Sequence, residues 1–522
     1  MTTLHSRRTF LVATLGTALA ACGGDDDDPP PSGGEPPPPV PEARIAQAIA
    51  SLDKLVTDQM SRTGVPGVAT AVVRRDPAGN RVVYAKGFGK RAVDEPATVD
   101  ADTVFQLASM SKSIGAMVVA HQVGVGRIRW DTPVQSQLPW FALSDPEVNP
   151  VLTVADLYSH RSGLPDHAGD RLEDMGCDRR QVLERLRFLP LHPFRASYQY
   201  TNFGLTAAAE AVATAAATDW ATLSEQTLYG PLGMTRTSSR HADYVARDNR
   251  AVGHVRENGV WVRGPVRDAD AQSPAGGVSA SVNDVARWLI MMLGEGMFEG
   301  RRIVEAGALK EAIAPHNQST PPAGGRPAGF YGYGFNVGTN PAGRPMYNHS
   351  GAFALGAATA FLAVPSLGLA IVTLTNGYPI GVPETINNQF FDLVDHGAIQ
   401  QDWATIIEEA LAPVLAPEGA LVGATPPASP LPPRALSVYA GDYANDYYGP
   451  ITVRESAGAL VLTIGPAPLV LPLSHWDGDV YTFQLRNENA TPGTISRVWF
   501  GSDRLTLEYY DQEGLGTFLR TS

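Results

Sequence analysis

Lysine and cysteine are rare in this 522-residue chain, and positive charge is in deficit. Acidic residues number 53 against 40 basic ones, so the formal net charge is −13, which argues against a nucleic-acid partner. The two cysteines are Cys22 and Cys177. Because Cys22 lies in the N-terminal segment treated below, no internal disulfide is expected. Lysine occurs only at positions 54, 86, 90, 112 and 310, so 35 of the basic residues are arginine.

The scarcity of lysine draws attention to the stretch Ser109-Met110-Ser111-Lys112. Arginine stays charged at any working pH, whereas a lysine amine can lose its proton once it is desolvated. A serine nucleophile needs a nearby group that takes its proton. Two residues three positions apart on a helix lie on the same face. Ser109 and Lys112 are therefore interpreted as a nucleophile and its activating amine.

The same spacing recurs at Ser51 and Lys54, so the flanking sequence has to decide between the two pairs. Ser51 lies within an ordinary amphipathic helical pattern. Ser109 follows the apolar run 104–108 and precedes another at 114–119, which predicts the first turn of a buried helix. Free backbone N–H groups and the helix dipole at such a position stabilise a developing oxyanion.

Two further motifs follow Ser109 in order. The first is Tyr200-Thr201-Asn202, predicted at a junction between a loop and a helix. A phenol with a lowered pKa at Tyr200 could relay a proton to a leaving group, and the Asn202 amide could hold both Lys112 and a substrate carbonyl.

The second motif is His349-Ser350-Gly351, predicted at the beginning of a strand. Glycine at position 351 would let the backbone approach a substrate closely. The backbone N–H groups of Ser109 and Ala352 could together form an oxyanion hole.

In this order the motifs resemble those of the serine β-lactamase and penicillin-binding-protein superfamily, in its class C-like branch. The resemblance covers about Glu42 to Pro413. Longer phrases that support it are Phe105 to Lys112, Leu152 to Pro165 and Ser273 to Val278. It implies an α+β fold in which a helical region packs against an α/β/α sandwich, with the active site in the cleft between them.

The resemblance also implies roles. Ser109 would attack a carbonyl while Lys112 and Tyr200 share the proton transfers, and Asn202 and His349-Ser350-Gly351 would bind substrate. His349 departs from the Lys-Thr-Gly motif of class C β-lactamases, and a neutral histidine holds a carboxylate less strongly than a permanent cation near pH 7. Relatives with histidine here include D-Ala-D-Ala carboxypeptidases, D-amino-acid amidases and esterases. Efficient β-lactam hydrolysis is therefore not expected.

The leading hypothesis is a serine hydrolase that forms an acyl-enzyme at Ser109 and cleaves amide bonds of peptides or peptide-like compounds. Its substrates could be D-Ala-D-Ala stem peptides or linear peptides derived from cyclic toxins. A short-chain esterase is the first alternative, and a non-catalytic envelope protein that binds peptides or glycans is the second. No cofactor or metal is expected, because the spacing of His160 and His167 suits neither helical nor hairpin ligands.

The N-terminus predicts export. Arg7 and Arg8 precede an apolar stretch that is too short to span a membrane, and the pair resembles a twin-arginine signal. Residues 19–22 resemble the lipobox of bacterial lipoproteins, in which Cys22 would be lipidated. The protein is therefore expected on the periplasmic side of the envelope, attached to a membrane only by this lipid. Residues 23–41 are rich in Pro, Gly and Asp and predict a solvated tether.

Patterning divides the rest of the chain into three parts. Residues 42–412 form the hydrolase domain, with strands near both ends and helices between them. Prolines mark residues 413–435 as a linker. Residues 436–522 predict a small all-β, barrel-like domain that looks like the lipocalin-like module often appended to such hydrolases. The tyrosines at positions 439, 443, 447 and 448 could line a binding surface, but are more typical of a small barrel core.

Overall fold

A computed structural model describes residues 37–77, 79–322 and 327–522. The predicted export signal at 1–22, with the lipidation site Cys22, and most of the predicted tether lie outside these ranges. Within them, no helix combines the length and the apolar character needed to cross a membrane.

The larger sheet joins strands from both ends of the hydrolase domain. All eight of its strands pair antiparallel. In spatial order they are Gly79–Gly89, Gly67–Asp76, Leu369–Thr375, Ala357–Val364, Pro345–Phe353, Asn336–Thr339, Gly329–Tyr331 and Asn317–Thr320. The N-terminal hairpin therefore pairs directly with the last strand, so strands from both ends of the domain share one sheet.

Both faces of this sheet are covered, so the central strands Ala357–Val364 and Leu369–Thr375 are buried along their whole length. Side chains alternate along a strand. Leu362 and Ile371 pack with the helices before and after the sheet, while Phe361 and Val372 belong to the core shared with the helical region. This α/β/α arrangement with a helical region beside it confirms the predicted α+β fold class.

The helices lie mainly between the two groups of strands. Those of the hydrolase domain are Glu42–Ala50, Leu52–Thr63, Met110–Gly124, Val154–Tyr158, Asp170–Asp174, Arg179–Arg185, Asn202–Ala215, Trp220–Ser224, Gly230–Leu232, His241–Val245, Ser273–Gly276, Val282–Leu293, Ala306–Ala312, Val382–His396 and Trp403–Leu411. The last two of these helices follow the final strand of the sheet. Gly397 ends the first with a φ of 79°, and Asp402 caps the second by accepting from Thr405 N–H.

The C-terminal domain is a closed barrel of eight antiparallel strands. They are Gly441–Asn445, Gly449–Ser456, Ala459–Ile464, Leu469–Asp477, Val480–Leu485, Thr494–Phe500, Arg504–Leu507 and Thr517–Arg520. The four tyrosines at 439, 443, 447 and 448 are each no more than 4% exposed. They are therefore part of the buried core, which was the favoured interpretation.

Two segments expected to be free are instead packed. At the end of the predicted tether, Val40 packs against the sheet-covering helices, and Arg344 donates to the Pro38 carbonyl at 2.5 Å. In the predicted linker, the Glu418 carbonyl accepts from Ile495 N–H at 3.0 Å, so this segment lies along the barrel.

Candidate active site

Ser109 lies at the N-terminal end of the buried helix Met110–Gly124, as predicted. The residue before it, Ala108, has a φ of 47°, which is a strained value for a residue with a side chain. This turn separates the short strand Phe105–Gln106 from the helix. It leaves Ser109 partly exposed while its neighbours Ala108 and Met110 are buried.

The Lys112 amine is surrounded by three oxygen atoms. Its Nζ lies 3.1 Å from Ser109 Oγ, 2.6 Å from Asn202 Oδ1 and 3.0 Å from the Ala275 carbonyl oxygen. A neutral amine has two N–H donors and one lone pair. If it donates to Asn202 and Ala275, its lone pair is left for the Ser109 hydroxyl. The geometry therefore suits an amine that takes the serine proton.

The electrostatics favour this neutral form. Burial lowers the pKa of Lys112 from 10.5 to about 7, and the negative charge of Asp170 opposes part of that shift. Lys112 is fully buried, whereas the other four lysines, at positions 54, 86, 90 and 310, are exposed. Lys112 is thus the one buried lysine of the chain.

Tyr200 completes the contacts of the nucleophile, since its hydroxyl donates to Ser109 Oγ at 2.8 Å. The loop 160–167 fixes Tyr200 from both sides. Tyr200 N–H donates to Asp166 at 2.8 Å, and the Tyr200 carbonyl accepts from His167 N–H at the same distance. The rings of His160 and His167 lie 4.7 and 5.5 Å from the Tyr200 ring.

The expectation of a lowered pKa at Tyr200 is wrong. Burial raises the pKa of this phenol, and its hydrogen bond to Ser109 offsets only part of the effect. A phenol in an apolar environment stays protonated because its charged form has lost hydration. Tyr200 is therefore suited to donate a proton rather than to act as a phenolate base.

Asn202 connects Lys112 to a carboxylate that the sequence motifs do not indicate. Its Oδ1 faces Lys112, and its Nδ2 donates to Asp170 Oδ2 at 2.8 Å. The same Asp170 oxygen lies 2.7 Å from His167 Nδ1. Asp170 thereby fixes the orientation of the Asn202 amide, which in turn sets the direction of one Lys112 N–H.

The strand Pro345–Phe353 carries the third motif in its second half rather than at its beginning. A side chain at Gly351 would lie 2.1 Å from the Leu107 carbonyl oxygen and 3.1 Å from the Ser109 nitrogen, so only glycine fits this backbone contact. The next residue, Ala352, is partly exposed. An oxyanion hole formed by the N–H groups of Ser109 and Ala352 stays a prediction.

The structure shows His349 as a fully buried, neutral group. Its Nε2 lies 2.8 Å from the Tyr331 hydroxyl oxygen, and its Nδ1 lies 2.6 Å from the Ser350 carbonyl oxygen. Burial, followed by the charge of Lys112, lowers the pKa of His349 to about 3. The Ser350 side chain interacts instead with Glu384. Neither side chain provides a cation beside Ser109.

Three contributors were missed by sequence reasoning. Asp170 lies far from the motifs in sequence and has no distinctive pattern. Ala275 contributes a backbone carbonyl, to which residue type gives no clue, although the phrase around it was noticed. His160, considered above only as a metal ligand, accepts from Thr201 N–H at 3.2 Å and so helps hold the segment that carries Tyr200.

Comparison with known proteins assigns the hydrolase domain to a family. A family model described as Beta-lactamase matches residues 52–393, well over half of the chain. The chain belongs to the beta-lactamase family. Relatives in this family include penicillin-binding proteins, which confirms the predicted superfamily of serine hydrolases. A second model, described as a domain of unknown function (DUF3471), matches residues 425–511.

Several relatives of this beta-lactamase family member cover much of its length. Unguisins hydrolase ungD of Aspergillus violaceofuscus is 25% identical over 472 residues, 80% of each chain. Penicillin-binding protein 4 of Amycolatopsis lactamdurans is 29% identical over 324 residues, 60% of this chain and 81% of that protein. Beta-lactamase-like protein 2 of Dictyostelium discoideum is 25% identical over 285 residues, 52% of this chain and 50% of that protein.

Solved structures show the same fold. The octameric penicillin-binding protein homologue from Pyrococcus abyssi has a TM-score of 0.58 and 19% identity, covering 90% of this chain and all of that one. The crystal structure of SurE has a TM-score of 0.55 and 21% identity, covering 92% and 99%. At these identities the likeness concerns the fold alone.

The lowered pKa of Lys112 predicts how acylation depends on pH. Below about pH 7 the amine is protonated and cannot take the serine proton, so the rate of Ser109 acylation should fall as the pH drops through about 7. Labelling of the full-length protein by a fluorophosphonate, followed from pH 5 to 9, measures this rate. A rate that is constant down to pH 5 would contradict Lys112 as the proton acceptor.

Replacing Lys112 by arginine tests the same role by chemistry. Arg cannot act as a neutral acceptor, so Lys112→Arg should lower the acylation rate by about 10²–10⁴-fold, the usual contribution of a general base. Lys310→Arg, an exposed lysine, is the matched control and should keep the wild-type rate. Wild-type acylation by Lys112→Arg would mean that another group is the base.

Proposed function

We propose that this protein is a serine hydrolase that forms an acyl-enzyme at Ser109 and cleaves amide bonds in peptides or peptide-like compounds. The observation that carries the proposal is the buried Lys112 amine. Its two N–H groups donate to Asn202 and Ala275, so its lone pair can accept from the Ser109 hydroxyl. The similarity to an unguisins hydrolase and to a penicillin-binding protein supports hydrolysis.

The proposed reaction follows from the positions of these groups. Ser109 Oγ bonds to the substrate carbonyl carbon as its proton passes to Lys112 Nζ, giving a tetrahedral oxyanion. The C–N bond then breaks, and the amine leaves with a proton from the Tyr200 hydroxyl. The protonated Lys112 then passes its proton to Tyr200. Water attacks the resulting ester as its proton passes to Lys112. The bond between the acyl carbon and Ser109 Oγ then breaks, Lys112 returns the proton to Oγ, and the acid product leaves.

The protonation state of Tyr200 favours amide over ester substrates. An amine departs only when its nitrogen is protonated, whereas an alkoxide leaves with less help, so an amide hydrolase needs a proton donor beside the leaving group. Tyr200 stays protonated and contacts Ser109 Oγ. An ester hydrolase would gain less from this arrangement.

The strand beside Ser109 favours an extended substrate. Strand Asn336–Thr339 pairs with residues 345–348 of strand Pro345–Phe353. Within the described part of the chain, no strand pairing continues along that edge at residues 349–353. A peptide can add to such an edge through main-chain hydrogen bonds. A compound without a peptide backbone would lack those bonds.

The proposal includes a place in the cell. We infer export and lipid attachment from the paired arginines and the lipobox-like stretch before Cys22, which lie outside the described residues. A periplasmic hydrolase of this kind would meet peptides of the envelope or of the surroundings. The negative net charge of −13 suits a protein that needs no nucleic-acid partner.

Digestion of a mixed L- and D-peptide library tests the substrate class. The protein without residues 1–22 should cleave members of the library, and Ser109→Ala should cleave none, with the products measured by mass spectrometry. A short-chain p-nitrophenyl ester is assayed in parallel. If the ester is hydrolysed and the library stays uncut, the protein is an esterase instead. If neither the ester nor the library is cleaved, the result favours a non-catalytic binding protein.

The neutral His349 predicts poor turnover of β-lactams. Because this position provides no cation for the substrate carboxylate, we expect a chromogenic cephalosporin to be turned over at least about 10²-fold more slowly than the best library peptide, the loss typical of a missing charged contact. Steady-state rates of both substrates check this. Comparable rates would show that carboxylate recognition does not depend on this position.

A further inference from the structure

One loop of the barrel packs against the hydrolase domain. It comprises residues 486–493, between strands Val480–Leu485 and Thr494–Phe500, and is called the contact loop below. Asn489 is 6% exposed, and Glu488 is also largely shielded, with 12% of its side chain exposed. Polar side chains that leave water at a domain contact are expected to have specific partners, and both of these have partners close to the active site.

Asn489 holds the short helix Asp170–Asp174. Its Nδ2 donates to the Asp170 carbonyl at 3.3 Å and to Asp174 Oδ2 at 2.9 Å, and its backbone N–H lies 3.2 Å from the same Asp174 oxygen. A helix of five residues has too few internal hydrogen bonds to be stable alone. Its position therefore depends on what it packs against.

Other barrel residues contact the same helix. The Arg171 guanidinium lies 4.4 Å from the centre of the Tyr509 ring, a cation–π contact in a site where the Arg171 side chain is only 11% exposed. Just beyond the helix, a methyl group at Gly465 would lie 2.3 Å from the Met175 carbonyl oxygen. The barrel thus holds this segment from several sides.

The helix carries the carboxylate that orients Asn202. Asp170 Oδ2 accepts from Asn202 Nδ2 at 2.8 Å, and Asn202 Oδ1 accepts from Lys112 at 2.6 Å. Only Asp170 and Asn202 therefore separate Asn489 of the barrel from Lys112. A displacement of the helix would move Asn202 Oδ1, which accepts one Lys112 N–H. The Lys112 lone pair would then no longer be directed at Ser109.

Glu488 holds the opposite side of the site. Its carboxylate accepts from the N–H groups of Ala354 and Leu355 at 2.9 and 3.3 Å, in the turn that follows strand Pro345–Phe353. That strand touches the backbone of Ser109 through Gly351. Glu488 therefore fixes the end of the strand that forms the edge of the site.

A buried ion network joins the two sides. Arg267 bonds Glu173, in the short helix, at 2.6 Å and lies 3.9 Å from Glu488. Its guanidinium also lies 5.4 Å from the centre of the Phe353 ring, at the end of the strand. Buried charges persist only when they are paired, so these three groups constrain one another's positions.

We propose that the contact loop is a positioning element of the Ser109 centre: Asn489 fixes Asp170, and through it Asn202 and Lys112, while Glu488 fixes the strand that borders the nucleophile. This rests on the proposed function, in which the Ser109 centre is catalytic. The barrel is then part of the working enzyme and is not an independent appended module.

Two substitutions of Asn489 in the full-length chain test the proposal at pH 8. Asn489→Ala removes the donors, and Asn489→Asp keeps the shape but replaces the amide by a carboxylate. Both should lower kcat and the rate of Ser109 labelling by a fluorophosphonate about tenfold, while KM stays within about twofold, because positioning affects the reacting groups more than substrate binding. The thermal unfolding temperature of each variant is measured alongside.

The matched control is Arg486→Ala in the same loop. Arg486 pairs with Glu257 at 2.7 Å through half-exposed side chains, so its loss breaks a domain contact that does not lead to the site. It should label at the wild-type rate. Glu488→Gln, which keeps the size of the side chain but loses its charge, provides a second variant if those of Asn489 fail to fold, and should slow labelling severalfold.

The outcomes separate this proposal from the proposed function. The positioning role would be overturned, with the hydrolase assignment intact, if Asn489→Asp is labelled at the wild-type rate, with or without Asn489→Ala. It would also be overturned if Arg486→Ala loses as much of the labelling rate as the Asn489 variants. Where neither Asn489 variant folds, wild-type labelling by Glu488→Gln would overturn it in the same way. A wild-type protein that is not labelled at Ser109 would contradict the proposed function, and this inference with it.

Discussion

The removal of the Lys112 amine from water is the constraint on which the site depends. Three basic groups, Lys112, His160 and His349, are all fully buried within a small volume. Burial and the charge of Lys112 together lower the pKa of both histidines, to about 3 at His349. Only one of the three can hold a proton near neutral pH, and Lys112, with a pKa of about 7, is that group. Lys112 is therefore the group that accepts the Ser109 proton.

The fold brings this amine and its partners together from four separate segments. Ser109 and Lys112 share one helical turn, so their contact is local, but Tyr200, Asn202 and Ala275 come from the helical region, and Gly351 comes from the sheet. The strained turn at Ala108 and the glycine at 351 allow helix and strand to touch through their backbones. The site thus lies where the helical region of the hydrolase domain contacts the sheet.

The sequence predicts the features that depend on local patterns, but not those that depend on contacts between distant segments. Local patterns predict the strands near both ends of the hydrolase domain, and spacing predicts the Ser109–Lys112 pair. The protonation of Tyr200 was predicted in the wrong direction, because burial depends on neighbours that spacing does not reveal. Asp170 was missed for the same reason. In the barrel, Pro472 lies within strand Leu469–Asp477, although a proline in a sequence argues against a strand interior.

The barrel extends this dependence beyond the hydrolase domain. A reacting group must be held to within a fraction of an ångström, and short helices and turns do not achieve that alone. Asp170 lies in a helix of five residues and orients Asn202, while Ala354 lies in the turn after the strand that carries Gly351. Asn489 and Glu488 are adjacent in one loop, so the same loop holds both the short helix and the turn. A change in how the barrel sits would therefore alter the whole site at once.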